Sequence, residues 1–273
     1  MIRLAQRGDR ARLMELWALI FGDTPEQIAD YFARRHRDED MLVAVEGGVL
    51  CGMLSMLPLT LVLGGEEYAA RYVYAVATDP AFRGRGIATD LLMHAHAEMA
   101  ARGAQASTLV PASESLFGYY EKRGYRTAFT LDIRAFDAVS LPFVPAGARC
   151  APCPPGRYAR MRDAAFSGRG FYARWDEQAV AFAAEGLNLT YLTSEAGEGC
   201  ALWERDEGGA LVRELALVGM PVLDAVAILH TAAKAASYRV RLPGNDVPFG
   251  MIHWLVPPPQ GAVRPGYLAL ALD

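Results

Sequence analysis

The 273-residue chain is 52% hydrophobic and 21% charged, a globular balance that excludes a disordered or collagen-like polymer. Its 27 basic and 31 acidic residues leave a formal charge of −4, so the electrostatics point to neither nucleic acid nor an acidic membrane as partner. The most apolar run, residues 53–63, is too short to span a bilayer as a helix and contains Pro58, so it reads as a buried strand.

In chain order, the first nine residues show no long apolar core behind a positive region, so no signal peptide is expected and the expected compartment is the cytoplasm. Residues 2–5 read as a short strand. Leu13, Leu16, Trp17, Ile20 and Phe21 then recur at the spacing of one buried helical face, and Gly22-Asp23 ends that helix. Thr24-Pro25-Glu26-Gln27 has the form of an N-cap with proline at the first helical position and a capping glutamine. Strands over 41–45 and 49–62 flank a Glu46-Gly47-Gly48 turn, and Gly64-Gly65 makes the next hairpin. A strand over 68–78 ends at Asp79-Pro80. Ile87, Leu91, Leu92, Ala95 and Met99 form the apolar face of a helix over 87–102, stopped by Gly103. A strand over 108–110, a short helix over 115–123 and a strand over 125–133 complete the first half as mixed α/β.

Prolines at 142, 145, 152, 154 and 155 predict an extended connector. The expected division is therefore a first domain over 1–138, a linker over 139–156 and a second domain over 157–273. Four cysteines in a chain of this length make no disulfide framework. Cys150 and Cys153 form a C-x-x-C inside the proline-rich stretch, but with no second pair and no histidine at ligand spacing they read as incidental, and no metal site is expected. The second half reads as helices over 158–166 and 177–184, strands over 189–193, 199–204 and 210–217, a helix over 222–236, and strands over 238–242 and 267–272. Ser167-Gly168-Arg169-Gly170 follows a helix and reads as a plain loop, and the apolar segment 249–254 reads as core ahead of a domain interface.

The segment 74–88 is where chemistry enters. A strand runs into a glycine-rich turn that opens a helix. The first amides of a helix have no internal partner and sit at the positive end of its dipole, and glycines let that backbone approach an anion closely. Arg83 and Arg85 add cationic donors. The pattern is neither the Gly-x-Gly-x-x-Gly of a dinucleotide fold nor the Gly-Lys-Ser/Thr of a P-loop.

Arg83-x-x-Gly86-x-Ala88, placed after Asp79-Pro80 and before an amphipathic helix, resembles the acyl-CoA diphosphate loop of the GNAT acetyltransferases. Further on, Phe117-Gly118-Tyr119-Tyr120-Glu121-Lys122-Arg123-Gly124-Tyr125 resembles the aromatic-rich turn that closes that fold. The resemblance covers about residues 1–135. Pro111-Ala112-Ser113-Glu114 and the long second half are similar to the multidomain enhanced-intracellular-survival group.

The resemblance implies acetyl-CoA as the acyl-donor substrate. Its pantetheine arm would run along the backbone of Val76, Ala77 and Thr78. Its diphosphate would be held by Gly84, Arg85, Gly86, Ile87, Ala88 and Thr89, with Arg83 beside them. Tyr120 would protonate the departing thiolate. Ser113 stands where many members carry asparagine, a departure from the family pattern at the pantetheine arm. Glu66, Glu67 and Glu114 are the candidate proton acceptors, Glu114 being the one near Tyr120. His94 and His96, two residues apart, face different ways on their helix. In multidomain relatives the C-terminal carboxylate reaches the site, which brings in Asp273.

The expected activity is acetyl transfer to a primary amine of a small molecule or peptide. The alternatives are an acyl-CoA sensor without turnover and transfer of a longer acyl group. The order of elements in the second half resembles a second, degenerate GNAT-like domain that shapes the acceptor site. Val218-Gly219-Met220-Pro221 there lacks an arginine–glycine loop, so one acyl-CoA per chain is expected. An oligomer is compatible with the sequence.

Overall fold

The structure, a computed structural model, describes residues 1–262 and 265–270. The helices and strands are β1 Ile2–Leu4, α1 Arg10–Phe21, α2 Pro25–Arg34, β2 Met41–Glu46, β3 Val49–Leu63, β4 Glu66–Thr78, α3 Ile87–Ala101, β5 Ala106–Leu109 and α4 Ser115–Glu121. There follow β6 Arg126–Asp137, β7 Arg149–Pro152, α5 Pro155–Phe166, β8 Phe171–Arg174, α6 Glu177–Ala183, β9 Asn188–Ser194, β10 Gly197–Asp206, β11 Gly209–Val218, α7 Val222–Ala233, β12 Ser237–Pro243 and β13 Val247–Trp254. This is mixed α/β. Among the described residues no helix is long and apolar enough to cross a membrane.

Two compact units emerge, and neither is a single stretch of chain. The first comprises Met1–Thr60, Tyr68–Arg126 and Met251–Pro258; the second comprises Leu61–Glu67, Thr127–Gly250 and the described residues from Pro259 onward. The linear division at 139–156 gives way to this one for two physical reasons. The last strand beside β5 comes from β13, with Met251 opposite Leu109 and Trp254 opposite Ala106. The proline-rich segment, in turn, is built into the second unit. There β7 pairs with β9, the Cys153 amide donates to the Leu189 carbonyl at 2.9 Å, and Pro155 opens α5, where a missing N–H costs nothing.

In the first unit the strand order is β1-β2-β3-β4-β5-β13. The β2–β3 pair is antiparallel and β4–β5 is parallel, joined through α3. Local signals set the ends. Thr24 Oγ1 accepts from the Gln27 amide at 3.3 Å and Gln27 Oε1 from the Thr24 amide at 2.9 Å, closing the capping box of α2. The helix α3 buries Ile87, Leu91, Leu92, Ala95 and Met99 against Cys51, Leu54, Leu109 and Met251. Gly52 on β3 permits this approach, since a Cβ there would stand 2.8 Å from Ile87 Cγ2 and 3.2 Å from the Ala77 carbonyl.

The second unit repeats the plan. The strands β9, β10 and β11 form an antiparallel meander, α7 crosses over, and β12 returns parallel to β11 with β6 antiparallel on its far side. Its core holds a buried ion pair, Arg162 Nε to Glu214 at 3.0 Å, which Tyr158 joins by donating its hydroxyl to Glu214 at 2.9 Å. Arg162 also donates to the Leu268 carbonyl at 2.8 Å, tying the segment after Gly266 to α5. Of the strand expected over 267–272, the described residues up to 270 show one bridge, at Tyr267, next to one at Gly266. Ala271, Leu272 and Asp273 lie outside the described residues. Three strands were not anticipated: β7, β8 and β13. The Ser167–Arg169 segment forms a 3₁₀ turn leading into β8.

A polar chain runs through the first unit's core. Ser107 Oγ lies 2.5 Å from Tyr125 Oη, which lies 3.0 Å from His96 Nε2. The His96 ring stacks on His253 at 4.3 Å, and His253 Nδ1 donates to the Gly124 carbonyl at 2.8 Å. Burial, with His253 adding to it, pushes His96 down to about 4.

Two expectations follow. A fragment ending at residue 138 lacks β13 and leaves β5 as an uncovered edge, so it should be insoluble or molten while the full chain is folded; a cooperative thermal transition in the fragment would contradict this. For His96 the folded pKa lies below the unfolded value of about 6.5, so the unfolded state binds more protons between pH 6.5 and 4. Stability should therefore fall by about 2–3 kcal/mol as pH drops through that window. Urea unfolding of His96→Gln should show a flatter dependence over the same range, and an unchanged slope would exclude His96 as the source.

Candidate functional site

Parallel β4 and β5 pair only over Ala70–Ala106, Arg71–Ser107 and Tyr72–Thr108. Beyond Tyr72 β4 continues alone on that side, and Ala75 takes φ +50°. A non-glycine residue at positive φ inside a strand is strained and turns the strand's edge. Downstream the alternation is regular: Val76 and Thr78 line a cleft of about 460 Å³, while Ala77 between them is buried at 2% exposure and faces the core. Thr78 Oγ1 is buried and has no hydrogen-bond partner among the described residues.

The turn after β4 is braced at its start. Asp79 accepts from the Ala81 amide at 2.9 Å and from Arg12 Nη2 at 2.5 Å, contacts that hold its carboxyl below the usual range, the amide contributing most. Gly84 and Gly86 take φ +79° and +81°, and Gly86 serves as N-cap of α3 without a side-chain cap. The first amide of this region with a protein acceptor is that of Asp90, which donates to the Gly86 carbonyl at 3.0 Å. The amides of residues 84–89 find no acceptor among the described residues. Nothing stands within 4 Å of where a Cβ of Gly84 or Gly86 would be. An open run of unpaired amides at the positive end of a helix is an anion site.

The opposite wall comes from α4. Tyr120 is 8% exposed, packs edge-on against Tyr119 and Tyr125, and lines the cleft with its hydroxyl free of protein partners among the described residues. Burial pushes its pKa up to about 12, with Tyr119 adding and Arg123 opposing. The hydroxyl therefore keeps its proton throughout the neutral and mildly alkaline range. Arg123 lays its guanidinium 3.5 Å from the Tyr119 ring centroid, donates to the Tyr119 carbonyl at 2.6 Å, and donates through Nε and Nη2 to Thr89 Oγ1 at 3.0 and 2.5 Å. A fixed cation thus sits at the first turn of α3.

Of the residues expected from sequence, the cleft brings together Val76, Thr78, Arg83, Gly84, Gly86, Ile87, Ala88, Thr89 and Tyr120. Ala77 faces the core. Arg85 turns away to pair with Glu46 at 2.8 Å and to cover the Phe82 ring. Glu114, exposed at the N-cap of α4, does not line the cleft. Glu67 pairs with Arg174 in the second unit. His94 is exposed with Nδ1 at 2.8 Å from the Asp90 carbonyl, and His96 is in the core. The sequence reading missed Phe82, Leu116, Tyr119 and Arg123 as lining residues. For Arg123 the signal is in the sequence: a cation four residues after Tyr119, just past the end of α4, within the aromatic-rich turn 117–125.

The second unit's equivalent turn is closed. Gly219 takes φ +75°, a Cβ there would stand 2.9 Å from the Ala196 carbonyl, and Glu198 forms a bridge with Gly219. Pro221 precedes α7 and offers no amide. Among the described residues no cluster of His, Cys, Asp and Glu is placed to hold a metal.

Residues 1–128 match the family model of the acetyltransferase (GNAT) domain. The chain carries a GNAT domain. Solved structures share the fold across nearly the whole chain. A GCN5-related N-acetyltransferase from Anabaena variabilis superposes with a TM-score of 0.76 at 17% identity, covering 94% of this chain and 73% of that one. One from Kribbella flavida gives 0.73 at 18% identity, covering 92% and 70%. Eis1 from Mycobacterium abscessus gives 0.68 at 15% identity, covering 93% and 74%. No curated protein sequence matches the chain. The GNAT match ends just past the aromatic turn, so it contains every residue that lines the cleft, and the acyltransferase assignment is that of this 1–128 domain.

Valine at Gly86 would combine a strained positive φ with a side chain in the space above the amides. Titrated with ADP as a diphosphate probe, Gly86→Val should bind at least tenfold more weakly than the parent chain. Equal affinities would show that the amides are not the anion site.

Proposed function

We propose that the GNAT cleft binds acetyl-CoA and transfers its acetyl group to a primary amine of a small molecule or peptide. The observation that carries this reading is the open run of amides at 84–89 lying in one cleft with the Tyr120 hydroxyl. The diphosphate fits the amides, with Arg83 and Arg123 supplying positive charge. The unpaired edge of β4 accepts the pantetheine arm as an added strand would. The thioester then lies near Val76 and Thr78, where a backbone N–H can polarise its carbonyl.

In the transfer the amine nitrogen attacks the thioester carbon and forms the C–N bond. The C–S bond breaks, and the departing thiolate takes the Tyr120 proton. Burial helps here by keeping the phenol protonated, although a phenol near 12 gives its proton to a thiolate only when the two are held in contact. Much of the acceleration is then positioning of amine against thioester. The amine's own proton leaves to water and Tyr120 takes one back from water, which closes the cycle; no carboxylate lines the cleft among the described residues. That same feature favours a second reading, a sensor that binds acyl-CoA without turnover.

Release of free thiol from acetyl-CoA, measured against a panel of polyamines, aminoglycosides and peptides, separates the two. Turnover with at least one amine is expected; coenzyme binding with no thiol release across the panel would favour the sensor. Tyr120→Phe should cut kcat more than tenfold with little change in acetyl-CoA affinity. An unchanged kcat would remove Tyr120 from the chemistry.

A further inference from the structure

The C-x-x-C of the proline-rich segment does not pair with itself. Cys150 lies on β7 opposite Leu192, whereas Cys153, just before α5, points its sulfur at Cys200 on β10, with Sγ–Sγ at 3.4 Å. Both are free thiols and both are buried. Their backbones are fixed independently. The Cys153 amide donates to the Leu189 carbonyl at 2.9 Å, and Cys200 is laddered between Tyr191 and Ala216. Closing to a bond of about 2.05 Å needs the sulfurs to move together by only about 1.4 Å. Sequence neighbours of both cysteines, Arg157, Arg160 and Glu198, line a cavity of about 560 Å³ that opens to solvent. None of this is used by the cleft of the first unit.

We propose that Cys153 and Cys200 form a redox-active dithiol in which a peroxide oxidises Cys153 and Cys200 resolves it to an intramolecular disulfide. The division of labour follows from the surroundings. The hydrogen bond from Cys200 holds the Cys153 thiol below its usual range, with Arg157 and Arg160 adding, while the same contact and burial push Cys200 up. Cys153, which keeps 5% exposure where Cys200 has none, is the sulfur a peroxide reaches first, so it attacks as its thiolate and Cys200 resolves. The thiolate attacks one peroxide oxygen, an S–O bond forms, and the O–O bond breaks. The departing oxygen takes a proton from solvent, leaving a sulfenic acid on Cys153. The Cys200 sulfur then displaces that oxygen, its proton leaving with it as water, and the S–S bond forms. Two electrons pass from the two sulfurs to the O–O bond. The product locks the start of α5 to β10.

Hydrogen peroxide added to the reduced full chain tests this by intact mass and non-reducing peptide mapping. The mass should fall by two hydrogens, a Cys153–Cys200 cross-linked peptide should appear, and dithiothreitol should reverse both. Cys150→Ser should retain the cross-link. Cys200→Ser should instead accumulate a sulfenic acid at Cys153 that dimedone traps. A Cys153–Cys150 link, oxygen adducts without any link, or thiols untouched at peroxide levels that oxidise free cysteine would each overturn the proposal. The mass of the parent chain decides the matter even where a variant fails to fold.

Discussion

Two parallel strands that begin as neighbours and then part govern the rest of the first unit. Their pairing ends at Tyr72 and Thr108, and the backbone at Ala75 is held at positive φ. Left to themselves, the backbone groups freed by this parting would be a loss, because a sheet's polar edge needs partners. The structure leaves this edge open to the cleft and places three things around it. Val76 and Thr78 face the opening, the glycine turn presents its amides at one end, and Tyr120 closes the other wall. Each depends on tight seating elsewhere, most visibly at Gly52, where any side chain would push α3 off the sheet.

Much of this arrangement can be read from local chemistry, because it is local. The capping box at Thr24 and Gln27, the glycines at 84 and 86, and the apolar face of α3 are each specified within a few residues, and each is where the pattern puts it. What escaped the sequence is non-local. Arg85 has the same chemistry as Arg83, but Glu46 from a distant hairpin and the Phe82 ring engage it instead of the cleft. Glu114 stands near Tyr120 in sequence but sits at the helix N-cap, exposed. The strand β13 hides behind Pro248 and Gly250, residues that argue against a strand until β5 is seen to need a neighbour.

The second unit shows how little change separates a site from a scaffold. Its meander, crossover helix and parallel return strand follow the first unit's plan. The turn before α7 is filled, however, by the close approach of Ala196 and Gly197 to Gly219, and proline replaces the amide that would face a ligand. Where the first unit keeps an orphan hydroxyl beside open amides, the second keeps a paired charge cluster at its centre. Arg162, Glu214 and Tyr158 are matched donor to acceptor, and the pair is buried without being left unpartnered.

The late arrival of residues 251–254 at the side of β5 also sets a schedule for the growing polypeptide. Roughly 125 residues separate Arg126 from Met251, and at about 5–20 residues per second a ribosome needs on the order of ten seconds to supply them. Throughout that interval the nascent β5 waits with one flank unsatisfied. Completion of the first unit's sheet is thereby made contingent on synthesis running past Trp254, so a product that stops before it keeps β5 as an open edge.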